Sequence, residues 1–184
     1  MLSVGTKVPA KTLAEFVAFV KARPRELNYG SAGIGGTNHL APELFKSMAH
    51  VNIVHIGYKG VATALNDLIS GRLQVMFPAM DSGMPHVNSR RLRGLAVSSA
   101  QPSALAPGLP TIAATGLPGY EASLISTVLA PAGTPPAIIN RLNEGIVRVL
   151  NEPEVKEKLL AIGTETVGSS PEELAETTKV EVAK

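Results

Sequence analysis

The chain has no cysteine and no tryptophan, and aromatic residues make up only 4% of its 184 positions. The lack of cysteine excludes thiol nucleophiles, disulfide scaffolds and cysteine-ligated metal sites. The 17 Lys and Arg residues face 15 Asp and Glu with no basic block. Together with the scarce aromatics this argues against nucleic acid, which is bound by clustered positive charge and stacking rings. No apolar run approaches the roughly 20 residues of a membrane-spanning helix. Met1 to Pro9 lacks the charged start and apolar centre of a signal peptide. What is present is 45% hydrophobic content, enough for the core of one domain or of two small lobes.

Along the chain, strand-like and helix-like patterns alternate. Thr12-Leu-Ala-Glu15 is a capping box, and Phe16, Val17 and Val20 share a face, so a helix is expected over 13–23, ended by Pro24. Leu27 to Gly30 suits a short strand that enters a glycine turn and a helix carrying Leu40, Leu44 and Met48. The order then repeats: strand 51–58, helix 61–70 stopped by Gly71, strand 73–77, helix 84–91 and strand 92–98. Such alternation predicts a parallel sheet covered by helices. Pro102, Pro107, Pro110 and Pro118 mark a surface connection and a lobe boundary. Beyond it, 120–130 suits a strand, Thr134 caps a helix buried along Ile138, Ile139, Leu142, Ile146 and Val149, helix 154–162 and strand 164–167 follow, and Ser170-Pro-Glu-Glu173 opens a last helix.

The richest stretch for chemistry is Gly30-Ser-Ala-Gly-Ile-Gly-Gly-Thr37. Its glycines allow close backbone approach, the following helix offers free N–H groups, and Ser31 and Thr37 add hydroxyls. Gly36 stands where a phosphate-binding P-loop needs lysine, and Asn38 stands where a dinucleotide fingerprint needs its third glycine. A carboxylate is therefore the better anion, unless the loop is a plain turn. Tyr58-Lys59-Gly60 lies at a strand end where open α/β sheets place ligands, although Lys59 alone could be a solvated charge. Asp81, in the Phe77-Pro-Ala-Met-Asp81 turn, is expected to cap the next helix. His39 and Glu43 are one helical turn apart but lack the third ligand of a zinc site. His55 is expected to be a packed histidine with a hydrogen bond. No nucleophile-and-base pattern occurs, so no catalytic residue, metal or cofactor is assigned and the chain is not expected to be an enzyme.

The runs LNYGSAGIGGTNHLAPELF, NIVHIGYKG, ALNDLISGRLQVMF, LRGLAVSS, LAPAGTPPAIINRLN and EPEVKEKLLAIGTETVGSSPEELAE are together similar, in order and over nearly the whole chain, to the tripartite tricarboxylate transporter receptors, also called the Bug family. The resemblance implies a type II periplasmic-binding-protein fold of two α/β lobes that bind a dicarboxylate, tricarboxylate or amino acid and deliver it to membrane transporter subunits without a cofactor. It further implies a lead-in segment and helix over 1–26, a complete second lobe with a parallel-rich sheet over 27–98, and the C-terminal part of the first lobe over 99–184. The ligand-binding residues it implies are Ser31, Gly33, Gly35, Gly36 and Thr37, with Tyr58, Lys59, Gly60 and Ala79.

Three departures from the family pattern stand out. Gly57 and the Pro78-Ala79 pair replace a common proline and a common acidic or amide residue, and Pro42 enters a helix that usually lacks it. The signal peptide and opening first-lobe strand of the family lie before the point at which this chain starts. Localisation is thus periplasmic by resemblance, and the first lobe is expected to expose apolar surface that a homo-oligomer would cover. The competing reading is a truncated paralogue serving as an oligomeric interaction module without ligand binding.

Overall fold

Short apolar runs ending in glycine or a polar turn form the strands, and the amphipathic runs between them form the helices. The computed structural model describes residues 1–183, which divide into two units, Met1–Leu124 and the remainder from Ile125 onward. In chain order the first unit contains β1 (Leu2–Gly5), α1 (Leu13–Lys21), β2 (Asn28–Ser31), α2 (Thr37–Ala49), β3 (Val54–Gly57), α3 (Val61–Ser70), β4 (Val75–Met76), α4 (Met80–Asn88) and β5 (Leu92–Ala96). A 3-10 turn follows at Ala113–Thr115. The second unit contains α5 (Pro136–Leu150), α6 (Pro153–Ala161) and α7 (Pro171–Ala183).

The five strands form one sheet in the order β3-β2-β4-β1-β5. β2 is parallel to both β3 and β4, as helical crossovers require. β1 is antiparallel to β4 and β5, so the sheet is parallel-rich and mixed, not purely parallel. No strand is expected at Leu2–Gly5 from sequence. Four residues carry little periodicity, and pairing on both flanks is what makes them a central strand.

Both faces of the sheet are covered. Val75 packs with Leu13, Phe16, Tyr29 and Phe45 on one face, while its neighbour Met76 packs with Leu65, Leu68 and Leu73 on the other, the two-residue alternation of a strand. Gly30 is required by this packing, because a Cβ there would meet Leu73 Cδ1 at 2.4 Å and Ala64 Cβ at 3.3 Å.

The capping signals behave largely as expected. Glu15 N–H donates to Thr12 Oγ1 at 3.2 Å, Gly71 closes α3 in the left-handed region, and Ser170 and Glu173 exchange hydrogen bonds of 2.8 and 3.1 Å at the start of α7. Thr134 is not a cap. Prolines at 135 and 136 leave no N–H beside it, and its hydroxyl donates back to the Pro131 carbonyl at 2.8 Å. Nor does Asp81 cap α4, which starts one residue earlier, at Met80, with Ala79 in the cap position.

The chain from Tyr120 onward departs furthest from expectation. No strand forms over 120–130 or 164–167, and the expected buried stripe of α5 is open to solvent, with Ile138 50% and Leu142 53% exposed. An extended apolar segment becomes a strand only when another backbone supplies a ladder, and a helical stripe is buried only when a layer faces it.

Candidate functional site

Because β2, β3 and β4 run parallel, their carboxyl ends lie at one edge of the sheet, the edge at which open α/β sheets place ligands. Each strand there feeds a helix. Gly36, Gly60 and Ala79 occupy the cap positions of α2, α3 and α4, and none of the three helices receives a side-chain cap. The opening N–H groups of α2 and α3 therefore remain available to an anion, reinforced by the helix dipoles, whereas in α4 Ser82 N–H already donates to the Asp81 carboxylate.

The first loop is shaped by glycine. Gly33 (φ 134°) and Gly35 (φ 86°) lie in the left-handed region, where a side chain is strained. No atom lies within 4 Å of a Cβ built at Gly33, Gly35 or Gly60, so the backbone at these points borders open space. Thr37 begins α2 and is half-buried. Ser31 is fully buried. Its Oγ donates to the Gly33 carbonyl at 2.9 Å, accepts from Gly33 N–H at 3.3 Å and meets His55 Nε2 at 2.7 Å. A hydroxyl has one proton and two lone pairs, so these three contacts saturate Ser31 and leave it holding the loop in shape.

The second loop is tied to the first by Tyr58 N–H, which donates to the Ser31 carbonyl at 2.8 Å. The Tyr58 hydroxyl donates to Asp67 Oδ2 at 2.8 Å, and Arg72 pairs with the same carboxylate at 3.3 Å. Burial and the Asp67 carboxylate push the Tyr58 phenol up, against the opposing Arg72 charge, so it stays protonated as a donor. Lys59 is exposed and free to meet an anion. The third loop is anchored by the buried backbone nitrogen of Met1, which donates to the Pro78 carbonyl at 3.0 Å. Ala79 is exposed beside it. Arg93 donates to the carbonyls of Val8 and Ala10 and so serves the scaffold.

A polar cluster behind the glycine loop went largely unread in the sequence. His39 on α2 and His55 on β3 lie edge-on with ring centroids 4.6 Å apart, and Tyr29 is 4.8 Å from His55. Gly35 N–H donates to His39 Nδ1 at 3.4 Å. Tyr29 and Lys46 each donate to Glu43 Oε1 at 2.6 Å. Burial and the adjacent His39 hold the His55 imidazole below its usual range. Burial would raise the Glu43 carboxyl, but hydrogen bonds from Lys46 and Tyr29 outweigh it and hold it below. His55 is hydrogen-bonded, as its apolar strand suggested. The four-residue spacing of His39 and Glu43 was the one visible signal of the cluster, since the partners on β2 and β3 come from elsewhere in the sequence.

The whole chain, residues 1–184, matches the family described as tripartite tricarboxylate transporter family receptor. It is 35% identical over 175 residues to the UPF0065 protein in the tcbD-tcbE intergenic region of Pseudomonas sp. strain P51, covering 95% of this chain and 52% of that protein. It is 34% identical to Protein BugT of Bordetella pertussis, covering 94% of this chain and 53% of that one. Among solved structures, R. palustris Rpa4515 with adipate superposes with a TM-score of 0.88 at 38% identity, covering 100% of this chain and 61% of that one. The chain thus spans about half the length of those two curated relatives. It also superposes on the periplasmic binding protein BugD with a TM-score of 0.80 at 26% identity, covering 99% of this chain and 62% of that one. In sequence over its full length and in fold, this chain belongs to the tripartite tricarboxylate transporter receptor family, a family of receptors and not of enzymes.

Proposed function

We propose that this chain carries the carboxylate-binding part of a periplasmic solute receptor that hands its ligand to membrane transporter subunits. In place of the expected division at 27 and 98, the second lobe is Met1–Leu124, with β1 as a central strand of its sheet, and the segment from Ile125 belongs to the first. In this reading one carboxylate of a small dicarboxylate, tricarboxylate or amino acid sits against the N–H groups of Gly35, Gly36 and Thr37 and the Thr37 hydroxyl, with Lys59, Gly60 and Ala79 at its rim, while Gly33 stays tied to Ser31 and shapes the loop. Ser31 and Tyr58 hold these loops in place. The observation that carries the reading is that the N-termini of α2 and α3, neither with a side-chain cap, follow adjacent parallel strands at one sheet edge, beside glycines that border open space. A bound adipate in Rpa4515, at 38% identity, supports the ligand class. No arginine lies in the three loops, so fixed neutral donors do most of the holding and affinity depends weakly on salt.

The test is thermal unfolding with adipate, succinate and malate. A ligand that binds only the folded state adds about 2.7 kcal/mol at a hundredfold excess over its dissociation constant. A flat response across the panel would overturn the reading. The half-exposed apolar side chains of α5 favour a homo-oligomer that covers them, and a monomer in light scattering at micromolar concentration would remove that part.

A further inference from the structure

The glycine loop is wired to an imidazole that has to change partner when an anion arrives. Gly35 N–H, one of the loop's donors, points at His39 Nδ1 across 3.4 Å, a long and weak hydrogen bond. A carboxylate competing for Gly35 N–H holds a full negative charge and makes the shorter, stronger bond. Once Gly35 turns to the carboxylate, His39 Nδ1 keeps an unused lone pair beside a new negative charge. Both changes favour a proton on that nitrogen. In the empty loop the same proton would set two N–H donors against each other.

We propose that His39 exchanges its hydrogen bond from Gly35 for a solvent proton when a carboxylate enters the loop, so that ligand binding is linked to proton uptake. This inference rests on the carboxylate reading of the loop. The balance is simple: one N–H bond forms at Nδ1, the proton comes from bulk water or buffer, and the imidazolium then donates toward the ligand.

The surroundings limit uptake to one proton. The titratable and charged groups that face the two rings are Tyr29 from β2, Glu43 and Lys46 from α2, and each ring for the other. Tyr29 and Lys46 already engage Glu43 at 2.6 Å, so Glu43 accepts from both. A second positive charge on His55, its ring 4.6 Å from that of His39, would face direct repulsion. His55 therefore remains neutral and keeps its 2.7 Å contact with Ser31, which preserves the loop during the exchange at His39. His39 is half-buried, within reach of solvent for the exchange.

The experiment is calorimetric titration of the full chain with adipate, succinate and malate at pH 7, in buffers of different ionisation enthalpy. The expected result is an observed enthalpy that varies with buffer, corresponding to uptake of up to one proton. Affinity should correspondingly strengthen from pH 8 to pH 6.5, by at most about tenfold per pH unit. His39→Gln should abolish the buffer dependence, and His55→Gln, which retains a donor toward Ser31, should keep it. Binding without buffer dependence in the wild-type chain would overturn the inference and leave the carboxylate reading standing. Proton uptake that persists in His39→Gln would also overturn it. Absence of binding by every carboxylate tested would overturn both readings.

Discussion

The two units use similar helices to opposite ends. In the first, every strand of the sheet has a ladder partner and apolar side chains close around it, with Phe16, Phe45, Val75 and Tyr120 at most 1% exposed. In the second, α5 contacts α6 and α7, yet no helix there has a buried residue. The difference teaches that an amphipathic pattern specifies which face of a helix wants cover, while only an apposed layer provides it. It also explains why the candidate site is built in the first unit. Donors held to within fractions of an ångström need loops anchored on paired strands.

The sharpest test of this contrast is Phe45→Ala. Phe45 is fully buried, with ring neighbours Phe16 at 6.3 Å, Phe77 at 5.8 Å and Tyr120 at 6.4 Å. Truncation of such a side chain should cost about 3–5 kcal/mol in urea unfolding. A loss near zero would mean that the first unit's core is not closed in solution.

A smaller effect is expected where binding, not folding, is read. Thr37→Val keeps the side-chain shape and removes one hydroxyl donor to a charged acceptor, a bond that contributes on the order of 1.5–3 kcal/mol. Calorimetry should show adipate affinity falling by that amount with the unfolding transition nearly unmoved. Unchanged affinity would take Thr37 out of the site.

Acid should loosen the first unit through two groups. The His55 imidazole is held below its ordinary value of 6.5, first by burial and then by His39. Folding therefore favours the neutral ring, and its contribution is complete above pH 6.5 and is lost as pH falls through the folded value. The Glu43 carboxyl, pushed up by burial but drawn further down by Lys46 and Tyr29 below its ordinary 4.5, contributes above that pH and is lost as pH falls through its folded value. The effect is modest because both side chains are partly open to solvent. Urea midpoints at pH 7 and 5.5 check the first step, and His55→Gln should flatten it.

The smallest effect is expected in the second unit. Leu142 is 53% exposed, so Leu142→Ala should shift stability by no more than about 0.5 kcal/mol. A loss of 2 kcal/mol or more, on the scale of buried leucines, would show that this stripe is covered in solution.

Much of this was legible in the sequence because the signals are local. The capping boxes at Thr12 and Ser170, the glycine stop at Gly71 and the strand–glycine–helix order around Ser31 each depend on neighbours within about four positions. Pro42 was visible as a misfit. With α2 starting at Thr37, it lies inside the helix and cannot supply the N–H that the Asn38 carbonyl would accept. β1 was not legible, since Leu-Ser-Val-Gly becomes a strand only through Val75 on one side and Arg93 on the other.

By itself, then, the sequence determined the family, the alternation of strands and helices and the place of the glycine loop between β2 and α2, because glycine spacing, caps and periodicity act over a few residues. The tertiary structure alone decided that Ser31 is saturated by its neighbours. It also brought His39, His55, Tyr29 and Glu43 together, and it left the apolar stripe of α5 in solvent. Each of these depends on which distant backbone lies alongside, and register across a sheet and the layer over a helix face are set by packing between segments that local chemistry does not link.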